Sequence, residues 1–286
     1  MGSTGTRFDP VTEHERTRAA LRAVVPRLVR LLREAPDLEA PSGVPDWTVG
    51  DTAAHLAAVH FAYSTGFIEE SMDWDGVLPS GEGPFAARIA AMNARSVSLF
   101  GDGERARPGT FLAERSEEFL RATEGLAPET PVDAPWFGTE ATLTLAAATG
   151  LILSETLVHG LDIARGARRP WRIAPDEASL VLGQSMPTMM PPALDAEEAR
   201  GVSLALDLVV KGGPRLAVVV DEGALTVTRD APPRAYDCRL TVAPVAFLLV
   251  SFGRIPVWKA VARGQMRAGG RKPWLAARLS RLVANP

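Results

Sequence analysis

The sequence predicts a two-domain protein, with an all-α domain over residues 1–170 and an α+β domain with an antiparallel sheet over residues 171–286. Before residue 170, apolar residues recur every three or four positions, which is the spacing of amphipathic helices. After it come alternating runs rich in β-branched residues, separated by turns that contain glycine. The length of 286 residues is about twice that of a typical domain and agrees with this division.

The N-terminal domain is predicted to be an up-and-down bundle, because it contains four principal helices of sufficient length. Pro26 lies inside the first helix and either kinks it or divides it in two. Thr48 is predicted to cap the second helix together with Asp51, three residues further on. The predicted helices cover residues 11–34, 49–71, 86–100, 111–123 and 143–167, with loops at residues 73–83 and 127–135.

The C-terminal domain is predicted to start with a helix over residues 176–186 and a loop interrupted by prolines. Three antiparallel strands and a fourth strand follow, over residues 202–210, 215–223, 224–230 and 238–243. Further helices are predicted over residues 244–252, 256–263 and 272–283, and residues 265–270 form a short strand or a turn.

The composition excludes several classes of protein. With 46% hydrophobic and 23% charged residues, the chain can bury a sizeable core, and its formal charge of −3 argues against a globally basic nucleic-acid binder. The longest uncharged apolar runs span about 11 residues, too few for a membrane helix. The N-terminus lacks the apolar segment of a secretory signal. We therefore expect a cytoplasmic protein with neither a nucleic-acid nor a membrane partner.

The cysteine and histidine content limits the possible chemistry. Cys238 is the only cysteine, so the chain can form neither an intramolecular disulfide nor a Cys-x-x-Cys motif. We expect Cys238 to be a small buried residue, and any other thiol to come from outside the protein. The four histidines leave few candidates for metal ligands.

The segment SETLVHGLD contains the most informative pattern. Glu155 and His159 are four residues apart, so on a helix they lie on the same face. His55 lies on another predicted helix among apolar residues. If the two helices face each other, the three residues supply two imidazoles and a carboxylate with a fourth position open, which is the composition of catalytic zinc sites.

Other interpretations of these residues remain open at this point. A Glu-x-x-x-His pair on an exposed helix is often only a weak ion pair, and His55 alone could be a core histidine. The apolar residues around Glu155 instead favour a buried helix, in which charges are paired or coordinate a metal. His60 lies about 140° from His55 around the helix and is not expected to be a ligand, while His14 is expected to be exposed.

Two further features carry charge. Asp162 follows His159 by three residues and either fixes the tautomer of its imidazole or is a capping or solvent-exposed residue. The chain from Arg254 onward contains eight Lys and Arg residues and no acidic residue. Such a segment can bind nucleic acid or an anionic membrane, although a solvated face with one or two arginines reaching an anionic ligand fits better.

Two motifs together resemble the mycothiol-dependent maleylpyruvate isomerase family. They are W-T-V-G-D-T-A-A-H-L at residues 47–56 and E-T-L-V-H-G-L-D-I-A at residues 155–164. Residues 252–274 are similar to the sterol-carrier-protein-like domain that often follows in such proteins. The resemblance covers residues 12–284 and implies that the N-terminal domain is a DinB-like four-helix bundle.

The resemblance also implies a site and a chemistry. It places a divalent metal, usually zinc, on His55, Glu155 and His159, with mycothiol as cosubstrate. Arg254 and Arg267 are candidates for contacts with an anionic substrate or thiol. Trp47, Trp258 and Trp274 also match positions of the family motifs, but we interpret them as packing residues.

The implied function is a zinc- and mycothiol-dependent enzyme that adds an activated thiolate to a small electrophile. The outcome is either S-transfer or a maleylpyruvate-type cis–trans isomerisation. Two alternatives stay open: a zinc-dependent hydrolase that uses metal-bound water, and a non-catalytic protein that binds a small molecule or lipid. Oligomeric state is not predicted.

Overall fold

The computed structural model describes residues 8–68, 74–78, 84–138, 140–229 and 234–283. In this part of the chain the N-terminal half is helical, as the sequence predicts. Its helices are α1 (Pro10–Arg33), α2 (Val49–Ser64), α3 (Trp74–Val77), α4 (Phe85–Ser96), α5 (Asp102–Arg105), α6 (Pro108–Ala122) and α7 (Leu145–Gly166).

Four long helices form the core of this helical part. Helix α1 packs against α6 and α7, and α2 packs against the same two helices. The buried residues Leu21, Val24 and Leu28 lie along one face of α1, while almost every residue of α7 is buried. Helix α1 continues unbroken through Pro26, so the proline does not divide it.

A capping box fixes the start of α2, as predicted. The Thr48 hydroxyl accepts the backbone N–H of Asp51 at 3.0 Å, and the Asp51 carboxylate accepts the backbone N–H of Thr48 at 3.0 Å. These bonds satisfy two backbone donors and set the position of every later side chain on the helix. His55 follows about two turns from this cap.

Several predicted boundaries in the helical part are wrong. Helix α2 ends at Ser64 and not at residue 71, although residues 69–73 lie outside the described ranges. The predicted loop over residues 127–135 contains strand β1 (Pro131–Asp133), which pairs antiparallel with β2 (Thr142–Thr144). Because β2 takes up residues 142–144, α7 begins at Leu145.

Helix α8 (Pro175–Met189) connects the helical part to the sheet. It packs against α7, β5 and α9, the last two being elements of the C-terminal part described below. It also extends through Pro187, beyond the predicted end at residue 186. The proposed domain boundary near residue 170 stays a prediction.

The C-terminal part contains a five-stranded sheet in the order β5-β4-β3-β6-β7. Strands β3, β4 and β5 form the predicted antiparallel unit, but β6 runs parallel to β3, so the sheet is mixed and not purely antiparallel. The strands are β3 (Leu204–Val210), β4 (Arg215–Asp221), β5 (Ala224–Arg229), β6 (Cys238–Val242) and β7 (Met266–Gly269).

Three short helices complete the C-terminal part: α9 (Pro244–Ser251), α10 (Val257–Ala262) and α11 (Ala276–Leu282). The last follows a 3₁₀ turn at Pro273–Leu275, which interrupts the predicted helix over residues 272–283. One continuous apolar cluster includes Leu153 of α7 and Leu206 of β3, so the two parts share a core. No helix among the described residues is long and apolar enough to cross a membrane.

Candidate metal centre

Helices α2 and α7 bring His55, Glu155 and His159 together. Each residue offers one ligand atom, and the three atoms lie within 4.8 Å of one another. The Oε2 atom of Glu155 is 3.4 Å from Nε2 of His55 and 3.0 Å from Nε2 of His159. The three donors therefore point at a common region, as expected if α2 and α7 face each other.

The tautomer of His55 is set by Ser96 at the end of α4. The Ser96 hydroxyl donates to the backbone carbonyl of Asn93 at 2.7 Å, and its oxygen lies 3.3 Å from Nδ1 of His55. With its own hydrogen used on Asn93, the Ser96 oxygen accepts from Nδ1–H. This arrangement leaves the lone pair of His55 Nε2 directed at the region of the carboxylate.

Asp162 holds the second histidine in the same way. Its Oδ2 atom lies 3.1 Å from Nδ1 of His159, and the residue is fully buried. Arg254 donates to the same carboxylate, from Nε at 3.1 Å to both oxygens and from Nη2 at 2.6 Å to Oδ2. A carboxylate that orients a ligand histidine is a recurrent feature of metal sites, and the sequence predicts Asp162 as one candidate for this role.

The charges of the cluster are strongly coupled. Burial alone would raise the pKa of Glu155, but the imidazoles of His159 and His55 beside the carboxylate outweigh it and hold the pKa well below its usual range. Burial alone would lower the pKa of His159, but its bonds to Asp162 and Glu155 raise the pKa to about 9. Burial lowers the pKa of His55. Without a metal, a proton on His159 supplies the positive charge that the partly buried Glu155 requires.

Trp47 packs beside both imidazoles. Its ring centroid lies 5.1 Å from that of His55 and 6.4 Å from that of His159, which agrees with its predicted packing role. Trp258 and Trp274 differ, since they are 69% and 67% exposed. The prediction that these two tryptophans pack is wrong, because α10 and the turn before α11 leave their rings uncovered.

The other two histidines lie outside the cluster. His60 is fully buried, its Nε2 lies 3.2 Å from the Thr156 hydroxyl, and burial lowers its pKa to about 3. His14 is 1% exposed, so the prediction of an exposed side chain is wrong. The reason is tertiary: His14 is seven residues from Leu21 and lies on the same buried face of α1, a helix that packs against α6, α7 and α8.

Cys238 is buried at the start of β6, and burial raises the pKa of its thiol. It is a buried residue, as predicted, and it is not part of the cluster on α2 and α7. A thiol at the cluster would therefore come from a second molecule.

The two candidate arginines lie in different places. The Arg254 guanidinium is bound to Asp162 and to the carbonyl of Phe252. Arg267 is exposed on β7 and forms no ion pair within the described ranges. Their predicted contact with an anionic ligand stays a prediction. Ser96 is a site residue that the sequence does not reveal, because nothing in its neighbourhood marks a serine on α4 as the partner of a histidine on α2.

A narrow cleft of about 80 Å³ opens beside His55 and Glu155. Its other walls come from α2, α3, α4, α7, α8 and the segment that follows β1, and they are largely aromatic and aliphatic. A second, larger cavity of about 840 Å³ lies between α8 and the C-terminal helices. The two cavities share Phe85 and Met189 as lining residues.

A pair of buried histidines with a carboxylate, facing a cleft in a helical core, has the composition of a catalytic metal site. The fold and the site therefore define the chain as a helical protein with a candidate metal centre. The family described as "Mycothiol maleylpyruvate isomerase N-terminal domain" matches residues 18–164, slightly more than half of the chain. The chain belongs to the mycothiol-dependent maleylpyruvate isomerase family, which is a family of enzymes.

Solved structures show more distant likenesses. The crystal structure of a mycothiol-dependent maleylpyruvate isomerase gives a TM-score of 0.49 at 13% identity, covering 90% of this chain and 92% of that chain. A stereoselective inverting sec-alkylsulfatase from Pseudomonas sp. gives 0.30 at 14% identity, covering 98% of this chain and 33% of its own. Both scores are below 0.5, so the family assignment rests on the sequence match. No curated protein matches the sequence significantly.

Proposed function

We propose that this protein is a zinc- and mycothiol-dependent enzyme that adds the thiolate of its cosubstrate to a small electrophile. The observation that carries the proposal is the convergence of His55, Glu155 and His159, whose ligand atoms lie within 4.8 Å of one another. In keeping with this function, we propose a cytoplasmic protein with a DinB-like bundle over residues 1–170 and a sterol-carrier-protein-like domain over residues 171–286.

The residues fit a divalent metal for two reasons. Two imidazole nitrogens and one carboxylate oxygen form a donor set that zinc accepts, with room for a further ligand. The second nitrogen of each histidine is also engaged, by Ser96 and by Asp162, which directs both Nε2 atoms to one region. When bound there, the metal supplies a positive charge that favours the thiolate form of a thiol at its open position.

The other side chains of the site orient the two imidazoles and shield the site from water. Asp162 holds a proton on Nδ1 of His159, and Arg254 compensates the charge of that buried carboxylate. Trp47 covers the two imidazoles on one side. The apolar cleft beside Glu155 limits the access of water to the reacting atoms, so that a thiolate there is less hydrated.

The reaction begins with one step for both proposed outcomes. The thiolate sulfur forms a bond to one carbon of a conjugated double bond, the π pair moves to the conjugated carbonyl, and the proton of the thiol ends on the substrate. If the adduct leaves, the result is S-transfer. If the former double bond rotates instead, the proton gained by the substrate is removed again, its electron pair re-forms the double bond as the carbon–sulfur bond breaks, and sulfur takes up the proton, so the thiol is released and the product is the trans isomer.

The proposal is tested by elemental analysis of the purified protein, followed by mass spectrometry after incubation with mycothiol and an electrophile. We expect about one zinc per chain and a thiol-dependent product. His55→Ala and His159→Ala are expected to lose the metal, whereas the matched control His60→Gln keeps it, because His60 lies outside the cluster. Zinc retained at full stoichiometry without His159 would contradict the assignment, and turnover without any thiol would favour a hydrolase.

A further inference from the structure

The walls of the cleft indicate which electrophiles the site accepts. Beside His55 and Glu155, the cleft is lined by aromatic and aliphatic side chains, and the aromatic ones pack on one another. The ring of Trp136 lies 4.9 Å from that of Tyr63 and 5.3 Å from that of Trp74. Apart from the two candidate ligands, the polar lining residues in the described chain are Asn93, Ser96 and the phenol of Tyr63.

No cation lines this cleft among the described residues. Residues 34–87, which include all of α2 and α3, contain neither lysine nor arginine, and Arg88 and Arg95 of α4 are not among the lining residues. Arg254, the arginine bound beside His159, is already bound to the buried Asp162. Arg105 is likewise paired, with Asp51. A substrate with two carboxylates would bring two further negative charges close to Glu155, with only the metal to compensate them.

The larger cavity extends this apolar surface. It has a volume of about 840 Å³ and shares Phe85 and Met189 with the cleft. Arg267 is the one charged residue among its described lining, and it is exposed. Ser154 precedes Glu155 on α7 and lines this cavity, and its buried hydroxyl has no hydrogen-bond partner in the described structure. The cavity therefore offers space for an apolar chain and one buried donor for a carbonyl.

We propose that the electrophile is an uncharged, elongated apolar molecule and not a small dicarboxylate. This inference rests on the proposed function. The reactive carbon lies in the narrow cleft beside Glu155, and the apolar part extends past Phe85 and Met189 into the larger cavity. A sugar-based thiol such as mycothiol is a poorer occupant of that cavity, because its hydroxyl groups would find few partners there.

The inference is tested with two electrophiles that share one cis double bond, maleate and its neutral dibutyl ester. Thiol consumption is measured with the zinc-loaded protein and mycothiol, after subtraction of the uncatalysed rate. We expect kcat/KM for dibutyl maleate to exceed that for maleate by at least roughly tenfold, since the dianion loses its hydration without a counter-charge. Equal rates, or a preference for maleate, would overturn the inference and leave the proposed function intact.

A binding measurement separates the two proposals if neither compound is consumed. That outcome counts against the proposed function, and equilibrium dialysis of the same pair then decides the inference. Stronger retention of the diester supports an apolar site, whereas equal retention or stronger retention of maleate overturns it.

Two variants sharpen the test. Ile89→Arg places a cation in the cleft and is expected to reduce the preference for the diester about tenfold. Its matched control is Ala90→Arg on the exposed side of the same helix, which should leave the preference unchanged. Met189→Trp narrows the space that the cleft shares with the larger cavity, and it should slow the reaction of dihexyl maleate more than that of dimethyl maleate. If Met189→Trp slows both esters equally, the alkyl chain of the substrate does not extend into the larger cavity, and that part of the inference fails.

Discussion

Two buried carboxylates, one in each part of the molecule, differ in what surrounds them. Asp162 on α7 and Asp207 on β3 are both fully buried. In each case burial alone would raise the pKa, and hydrogen-bonding partners instead hold it below the usual value. Asp162 is bound by His159 and Arg254, whereas Asp207 is bound by Arg215 and Arg239.

The two carboxylates differ in what their partners contact in turn. Arg215 and Arg239 have more than half of their side chains exposed and place no further group toward a cleft. His159, in contrast, has a second nitrogen that points at Glu155 beside a cleft. A buried ion pair is therefore weak evidence for a functional site by itself. A histidine that connects the buried charge to an open cavity is stronger evidence.

The largest effect should come from Glu155→Gln. The amide loses the negative charge between His55 and His159, so we expect zinc affinity to fall by more than about 100-fold. Competition with a chelating dye measures this affinity. Glu118→Gln on α6, which removes a carboxylate outside the cluster, should leave it unchanged. Equal affinity of the Glu155 variant and the parent protein would show that the carboxylate is not a ligand.

A smaller effect separates the two aspartates directly. Asp162→Asn keeps the shape of the side chain but weakens its hydrogen bond to Nδ1 of His159. We therefore expect zinc affinity to fall about 10-fold to 100-fold. Asp207→Asn should leave zinc affinity unchanged and lower only the free energy of unfolding, which denaturant titration measures. If both variants lose zinc to the same extent, the loss reflects a general destabilisation, and the distinction between the two carboxylates fails.

Replacing Arg254, the arginine partner of Asp162, should change zinc affinity less than replacing Asp162 itself. Arg254→Gln removes the charge that compensates Asp162, so we expect zinc affinity to fall about tenfold, less than in a ligand variant. Arg239→Gln is the matched change at Asp207 and should not alter zinc affinity. The same chelator competition measures both. An unchanged affinity in Arg254→Gln would mean that Asp162 orients His159 without help.

The last effect concerns stability in acid. The pKa of Asp207 is lower in the folded chain than in the unfolded chain, where it is about 3.9. Its contribution to stability is therefore complete above that value and is lost as the pH falls through the lower, folded pKa. Because Asp207 is fully buried, removing both arginines leaves its charge unpaired, and we expect the variant with Arg215→Gln and Arg239→Gln to lose about 3 kcal/mol at pH 7.

Denaturant midpoints at pH 7 and at pH 3 check this expectation. The difference between the double variant and the parent protein should be smaller at pH 3, since the contribution of the carboxylate is already reduced there. A difference that grows as the pH falls would contradict the sign of the pKa shift.

Much of the candidate site was predictable because it depends on local geometry. The spacing of Glu155 and His159 follows from the helical repeat, and the capping box of Thr48 and Asp51 follows from the backbone donors at a helix start. Runs rich in β-branched residues, separated by turns that contain glycine, likewise predicted β3, β4 and β5. The metal-ligand role of His55, Glu155 and His159 was also implied by the family resemblance, and it stays a proposal.

The remaining features depend on contacts between distant residues, which periodicity does not encode. Only the tertiary structure shows that Ser96 is the partner of His55, that Arg254 is bound to Asp162 from 92 positions along the chain, and that His14 is buried. The parallel pairing of β6 with β3 is of the same kind, since it follows from the path of the chain across the sheet. The sequence by itself determined which side chains share a helix face or a strand face, because the backbone repeat sets these relations. Folding decided which of these faces meet, because that depends on how the whole chain buries its apolar surface.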